Sequence, residues 1–177
     1  MPQQDLNTFL KSHIRDIPDF PEPGIMFRDI TTLLADADIF RTTIDAMIGP
    51  YRDAGIDKVV VIESRGFIFG TPIAYLLNAG VVPVRKPGKL PAETWAEEYA
   101  LEYGTNTLEI HQDAILRGER IIIIDDLLAT GGTVEATINL VERFGGEIVG
   151  ISVLAELLAL HGRDRLGTHP VHSLVTY

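Results

Sequence analysis

Cysteine is absent from the 177-residue chain, which excludes a disulfide framework, thiol catalysis and any thiolate metal site. Basic residues are scarce: 15 Lys and Arg stand against 25 Asp and Glu, a net charge of −10 at pH 7. A sequence-independent DNA or RNA binder gains its affinity by neutralising phosphates with a basic surface, so the charge balance argues against that class while leaving room for a local basic pocket. Long apolar runs are missing as well, and none approaches the roughly 20 residues that span a bilayer. The N-terminal stretch from Met1 to Ile17 lacks the basic region and the unbroken apolar segment of a secretory signal. The expectation is a cytoplasmic protein with neither nucleic-acid nor membrane partners. The rows contain no G-x-x-x-x-G-K-[ST], G-x-G-x-x-G, H-E-x-x-H or G-x-S-x-G signature.

What is present is core-forming material. Hydrophobic residues make up 46% of the chain and mean hydropathy is +0.15, so a disordered acidic chain is excluded and one compact domain over 1–177 is expected. Leu6, Phe9, Leu10, Ile14 and Ile17 recur at helical spacing after Asp5, which reads as the cap of a first amphipathic helix. Pro18, Pro21, Pro23 and Gly24 then enforce an irregular connection into Ile25-Met26-Phe27-Arg28. A second helix is expected after Asp36 or Asp38, with Phe40, Ile44, Met47, Ile48 and Tyr51 on one face and Pro50 kinking or shortening it.

Beyond this point the pattern changes to short, continuous, β-branched runs at 58–62, 81–84, 121–124 and 148–153. Such runs, separated by helical segments, are the mark of buried parallel strands. A helix over 67–78 closed by Gly80, and one over 133–144 closed by Gly145-Gly146, complete two βαβ units with right-handed crossovers. The predicted fold class is α/β, an open, mainly parallel twisted sheet with helices on both faces. Residues 97–103 and 107–110 alternate around Gly104-Thr105-Asn106 as a hairpin, preceded by an exposed loop at 86–91. Trp95, the single tryptophan, falls in that loop region and reads as a packing anchor.

In an open parallel sheet, ligands bind beyond the carboxyl ends of the strands. Four segments leave those ends: Glu63-Ser64-Arg65-Gly66, Arg85-Lys86-Pro87-Gly88-Lys89, the stretch from Asp125 to Thr133, and Glu156-Leu157. The third has the parts of a phosphate cradle. Gly131 and Gly132 expose backbone N–H groups, a helix N-terminus adds partial positive charge, and Thr130 and Thr133 offer hydroxyls. By itself the turn reads better as a tight bend with Thr133 capping a helix. Asp125 and Asp126 directly before it shift the reading, because carboxylates that would repel a phosphate are suited to the hydroxyls of an attached sugar, with a divalent metal nearby. Three cations within five positions, Arg85, Lys86 and Lys89, with Arg65 from the neighbouring strand end, suit a diphosphate. His169 and His172 have metal-ligand spacing but no cysteine beside them, and read as surface or strand-end histidines.

The segment Ile123-Ile124-Asp125-Asp126-Leu127-Leu128-Ala129-Thr130-Gly131-Gly132-Thr133 resembles the phosphoribosyl pyrophosphate signature of type I phosphoribosyltransferases. The segments Phe20 to Thr31, Ser64-Arg65-Gly66-Phe67, Val84 to Pro91 and Leu101-Glu102-Tyr103-Gly104 are similar to the adenine-specific branch of that family. The likeness runs from about Phe9 to the C-terminal strand. It implies a pentosyltransferase of purine salvage that moves phosphoribose from phosphoribosyl pyrophosphate to adenine, giving AMP and pyrophosphate with Mg2+, and a homodimer. By this resemblance, 1–35 forms an N-terminal helix and base-binding hood, and 86–110 a flexible loop and hairpin lid.

On matching positions, Ala129, Thr130, Gly131, Gly132 and Thr133 would grip the ribose phosphate. Asp125 and Asp126 would hold the ribose hydroxyls, and the metal directly or through substrate and water. Arg65, Arg85, Lys86 and Lys89 would contact pyrophosphate, one or more reaching across the dimer, with Arg65 also counted as catalytic. Glu102 matches the general acid. Adenine would lie between Phe27 and Leu157, its edge read by backbone around Met26 and Arg28. The chain carries Ala100 where the family commonly has a polar residue. An oxopurine transferase and a non-catalytic sensor of the same sugar phosphate are the alternatives. The first is weakened by the Phe27 and Leu101 to Gly104 segments, the second by the absence of an added DNA-binding element or basic face.

Overall fold

The computed structural model describes residues 3–100 and 105–177. Helix α1 (Gln3–Lys11) opens the chain and buries Leu10 completely. The expected continuation of this helix through Ile14 and Ile17 does not occur. Instead β1 (Arg15–Ile17) pairs antiparallel with β2 (Phe27–Asp29), Ile17 opposite Phe27. Pro18 disfavours helical backbone at the residue before it, and the proline-rich return supplies β1 with a partner. Asp5 consequently lies in the first turn of α1 rather than capping it.

A five-residue helix, α2 (Thr31–Ala35), leads into α3 (Ala37–Ile48). Asp36 caps α3, its carboxylate accepting from the N–H groups of Asp38 and Ile39 at 3.0 and 3.1 Å. Pro50 shortens the helix as expected: residues Gly49–Tyr51 form one 3₁₀ turn, which places Tyr51 beyond α3 although still buried.

Strand β3 (Lys58–Ile62), helix α4 (Gly66–Leu77) and strand β4 (Gly80–Val84) make the first βαβ unit. Its helix stop is Asn78, in left-handed geometry at φ 53°, and not Gly80, which begins β4. The antiparallel pair β5 (Thr94–Ala100) and β6 (Thr105–His111) follows, so Thr105 and Asn106 belong to a strand rather than to the turn. Trp95 does anchor packing, its ring 4.5 Å from that of Phe144. The second unit is β7 (Arg120–Leu128), α5 (Gly132–Glu142) and β8 (Glu147–Glu156), with β9 (Val171–Thr176) last.

Both long strands overrun their expected ends. β7 continues past Ile124 because β8 stays paired with it, Asp125 opposite Val153 and Leu128 opposite Glu156. The ladder therefore carries the two aspartates on a strand instead of a loop. Likewise α5 starts at Gly132 after Gly131, φ +84°, with no side-chain cap, so Thr133 is not the cap, and the helix ends at Glu142.

Among the described residues the central sheet has the order β4-β3-β7-β8-β9, parallel throughout. Every residue from Val59 to Ile62 and from Ile121 to Ile124 is at most 1% exposed, because both faces are covered. Val59, Val61, Ile122 and Ile124 pack with α1, α3 and α4. Val60, Ile62, Ile121 and Ile123 pack with α5 and the hairpin. At roughly 1.5–3 kcal/mol per buried aliphatic side chain, these eight residues are the main apolar contribution of the sheet. Among the described residues no helix is long and apolar enough to cross a membrane.

Candidate functional site

The chain passes from β3 outward to β4 and later returns to lay β7 on the other side of β3, so the order reverses between β3 and β7. At such a switch point the loops leaving the two strand ends diverge and open a crevice. Two of the expected residues meet there. Arg65 Nε, at the end of β3, lies 2.7 Å from Asp126 Oδ2 on β7. The Arg65 guanidinium also stands over the Phe27 ring, 5.5 Å from its centre, so one side chain links β2 to the strand ends of the central sheet.

Close approach of α4 to β7 is what makes that contact possible. A Cβ on Gly66 would come within 2.8 Å of the Ile124 carbonyl oxygen and 3.1 Å of Asp125 Oδ1. Asp125 and Asp126 are 8% and 7% exposed, and the Asp126 N–H donates to Asp125 Oδ1 at 2.8 Å. Burial first, and then the charge of Asp126, pushes the Asp125 carboxyl well above the ordinary carboxylate range. Burial raises Asp126 as well, opposed by the Arg65 guanidinium. Two buried acids held at the end of a strand are poised to accept from hydroxyls or to meet a cation.

Immediately beyond them, Leu127, Leu128, Ala129, Thr130, Gly131, Thr133 and Val134 line a small concavity at the N-terminus of α5. Gly131 needs its positive φ here, and the helix N-terminus presents unpaired N–H groups to an anion. Two larger clefts, lined by α3 with α4 and by α1, α3 and β9, are mainly apolar and lie elsewhere. Charge and hydrogen-bonding capacity, not volume, distinguish the strand-end site.

The cationic segment is organised by two acids that sequence reading did not assign to the site. Arg85 Nε donates to Glu63 Oε2 at 3.2 Å, the Lys86 N–H donates to the same oxygen at 3.0 Å, and Arg85 Nη1 donates to the Lys89 carbonyl at 2.9 Å. Burial favours a neutral Glu63, but the bonds from Lys86 and Arg85 outweigh it and hold the carboxyl below its ordinary value. Glu109 of β6 bridges Arg85 through both backbone groups and accepts from the Gly88 N–H at 3.1 Å. The signal for Glu63 was its place at a strand tip facing a run of cations. The pairing of β6 with that run left no local pattern.

In the N-terminal segment, Phe27 meets Phe20 edge-on at 5.1 Å, and Ile17, Phe20, Phe27 and Asp29 line an apolar hollow. Met26 is exposed. The Arg28 side chain is turned away, ion-paired with Asp16 and lying over the Tyr177 ring at 3.9 Å. Leu157 follows β8 and is tied to the cradle through its N–H on the Leu128 carbonyl at 2.9 Å. Glu102 and the segment Leu101 to Gly104 lie outside the described residues. His172 faces the Ala46 carbonyl at 3.2 Å and His169 lies 3.5 Å from Glu142, so the two do not converge.

The phosphoribosyl transferase domain model matches residues 30–171. The chain is 59% identical to an adenine phosphoribosyltransferase of Picosynechococcus, covering 95% of this chain and 99% of that protein. It is 54% identical to one of Chloroflexus aurantiacus over the full length of both. A crystal structure of adenine phosphoribosyltransferase from Rhodothermus marinus superposes with a TM-score of 0.94 at 54% identity, covering 98% of this chain and 99% of that one. The yeast enzyme, solved with adenine and an imino-altritol bisphosphate, superposes at 0.90 with 38% identity over 97% and 99%.

Proposed function

The chain belongs to the phosphoribosyltransferase family, within its adenine-specific branch, and from that premise we propose that it transfers 5-phosphoribose from phosphoribosyl pyrophosphate to adenine, giving AMP and pyrophosphate. The observation that carries this reading is the Arg65–Asp126 contact across the switch point, beside a glycine cradle. A sugar with an anion at each end needs hydroxyl acceptors in the middle and cationic or N–H groups at both ends, and these groups stand in that sequence.

Residues 129–133 take the 5-phosphate and Asp125 with Asp126 the ribose hydroxyls. Arg65, Arg85, Lys86 and Lys89 neutralise the departing pyrophosphate, whose loss leaves an oxocarbenium-like carbon. Phe27 and Leu157 enclose the flat base, while backbone near Met26 and Arg28 distinguishes an amino from an oxo purine by donor order. Glu102 protonates or hydrogen-bonds the ring, and the hairpin excludes water.

Among the described residues no cluster of three or more His, Cys, Asp or Glu could enclose a metal ion. Two adjacent carboxylates beside a phosphate cradle do suit Mg2+, which is commonly held by one or two carboxylates and the substrate's own oxygens. Asp125 and Asp126 would hold it, and when bound it supplies charge neutralisation to the leaving group.

The reaction is proposed to run in a homodimer. Helix α4 contains no charged residue, and its outward face leaves Ile68, Tyr75 and Leu76 at 41%, 86% and 51% exposure beside Val81 on the edge strand β4. A second copy covers that apolar face. The test of the whole reading is incubation with Mg2+, phosphoribosyl pyrophosphate and adenine, hypoxanthine, guanine or xanthine. AMP from adenine alone is expected; preference for an oxopurine, or no nucleotide, overturns it.

A further inference from the structure

Residues 157–166 form two 3₁₀ turns after β8, and they touch both halves of the site. A Cβ on Gly131 would collide with the Gly162 carbonyl oxygen and lie 3.2 Å from the Gly162 Cα. A Cβ on Gly162 would collide with the Ala129 carbonyl oxygen and lie 3.1 Å from the Gly131 nitrogen. The turn and the cradle therefore meet backbone to backbone, with the Leu128 side chain packed beside the contact. At one end of the turn is Leu157, the proposed wall of the base site. At the other, Arg165 reaches Glu135 in the first turn of α5, Nε to Oε2 2.9 Å.

The turn is fixed by a carboxylate that the proposed chemistry does not use. Glu156, 3% exposed at the last position of β8, receives Arg163 in a two-pronged contact, Nε to Oε1 and Nη2 to Oε2 both 2.6 Å. Ser173 Oγ on β9 donates to Oε2 at 2.7 Å, and Arg163 Nη1 donates to the Val171 carbonyl at 3.0 Å. The bond from Arg163 holds the Glu156 carboxyl below its ordinary value. A fork of this kind sets direction as well as distance, which a lysine cannot reproduce.

We propose that Gly162 and Arg163 are positioning residues for the 5-phosphate cradle: the Glu156–Arg163 fork locks the 157–166 turn, and Gly162 in turn holds the backbone of residues 129–131 in anion-binding geometry. The inference rests on the reading of the cradle as the 5-phosphate site and deepens it. Its mark is selectivity between the two ends of the substrate. Ribose 5-phosphate and AMP carry the phosphate that the cradle grips; pyrophosphate does not. Misplacing a substrate-positioning group by about 1 Å can cost roughly 100-fold in rate.

The test is calorimetry on the full chain with ribose 5-phosphate, AMP and magnesium pyrophosphate, together with steady-state kinetics. The variants are Gly162→Ala, Arg163→Met, Arg163→Lys and, as control, Arg120→Met, which breaks an ion pair to Glu147 at the opposite, N-terminal ends of β7 and β8. Gly162→Ala and Arg163→Met are expected to weaken ribose 5-phosphate and AMP by roughly 10- to 100-fold and to raise the KM for phosphoribosyl pyrophosphate in step. Pyrophosphate affinity stays within about twofold, and Arg163→Lys falls between. Arg120→Met lowers Tm without changing any of the three affinities. Wild-type ribose 5-phosphate affinity in folded Gly162→Ala and Arg163→Lys overturns the proposal, as does a parallel loss of pyrophosphate. A wild-type chain that binds no sugar phosphate at all overturns the parent reading instead, and this one with it.

Discussion

Replacing Phe27 by alanine tests the location of the base site. The ring is held edge-on by Phe20 at 5.1 Å and lies under the Arg65 guanidinium at 5.5 Å, so it is a fixed platform and not a mobile side chain. Stacking a nucleobase on an aromatic ring contributes about 1–3 kcal/mol, and each 1.4 kcal/mol is about tenfold in affinity. Phe27→Ala should therefore raise the KM for adenine by roughly 5- to 150-fold. The truncation also removes the contact between Arg65 and the ring, a term of about 0.5–1 kcal/mol at a part-exposed position. Arg65 nevertheless keeps its 2.7 Å partner Asp126, so the cation at the pyrophosphate end stays in place.

The consequence is a split. With phosphoribosyl pyrophosphate saturating, the adenine KM rises; with adenine saturating, the KM for phosphoribosyl pyrophosphate stays within about fivefold, the most that loss of the cation–ring term allows. Phe27→Tyr, which retains the ring, should stay near wild type on both axes. An unchanged adenine KM in Phe27→Ala, or equal rises in both constants, would refute the assignment of this ring to the base.

Four further outcomes are expected. Asp125→Asn with Asp126→Asn abolishes binding of phosphoribosyl pyrophosphate, since the sugar loses its carboxylate acceptors; wild-type affinity by calorimetry removes that role. Asp125→Asn alone should also raise Tm at pH 8. A carboxyl raised by burial binds its proton more tightly folded than unfolded, so its contribution is fully present below the ordinary carboxylate value and is lost as pH rises through the raised one. The amide never charges, so the gain in Tm vanishes near pH 3, and a gain independent of pH contradicts the argument. Glu102→Ala lowers kcat by about 100- to 10,000-fold with little change in either KM, as loss of a general acid does; unchanged turnover ends its catalytic assignment. Tyr75→Asp places a charge on the apolar face of α4 and should convert the proposed dimer to monomer by sedimentation, whereas an unchanged sedimentation coefficient excludes that face.

The parts of this architecture that were legible in the sequence are those fixed by local composition. Four isoleucines in succession, bounded by turn signals, read as a buried strand, and the glycine-rich turn behind two aspartates at its end marks the sheet end proposed for the sugar phosphate. What was not legible depends on partners distant in sequence. Arg15–Ile17 becomes a strand because Phe27–Asp29 returns to pair with it, and β7 extends through its aspartates because β8 runs as far as Glu156. The organisation of the cationic segment escaped for the same reason, since Glu63 and Glu109 reach Arg85 across 22 and 24 positions of chain.

Those long-range acids also account for an anionic chain that binds an anionic substrate. Arg65 is paired with Asp126 and Arg85 with Glu63 before any ligand arrives, so neither cation must be gathered from solvent at the moment of reaction. The two pairs are not equivalent. Glu63 also accepts from the Lys86 backbone and is held ionised, so it stays with the cationic loop as a permanent strut. Asp126 is raised by burial and opposed chiefly by Arg65, and among the described residues no backbone of the cationic loop ties it there. Under the proposed reaction, ribose hydroxyls replace the guanidinium at Asp126 while the diphosphate receives Arg65. The buried carboxylate then passes from one set of donors to another without being left bare, which would cost about 3–5 kcal/mol if Arg65 were withdrawn without a substitute.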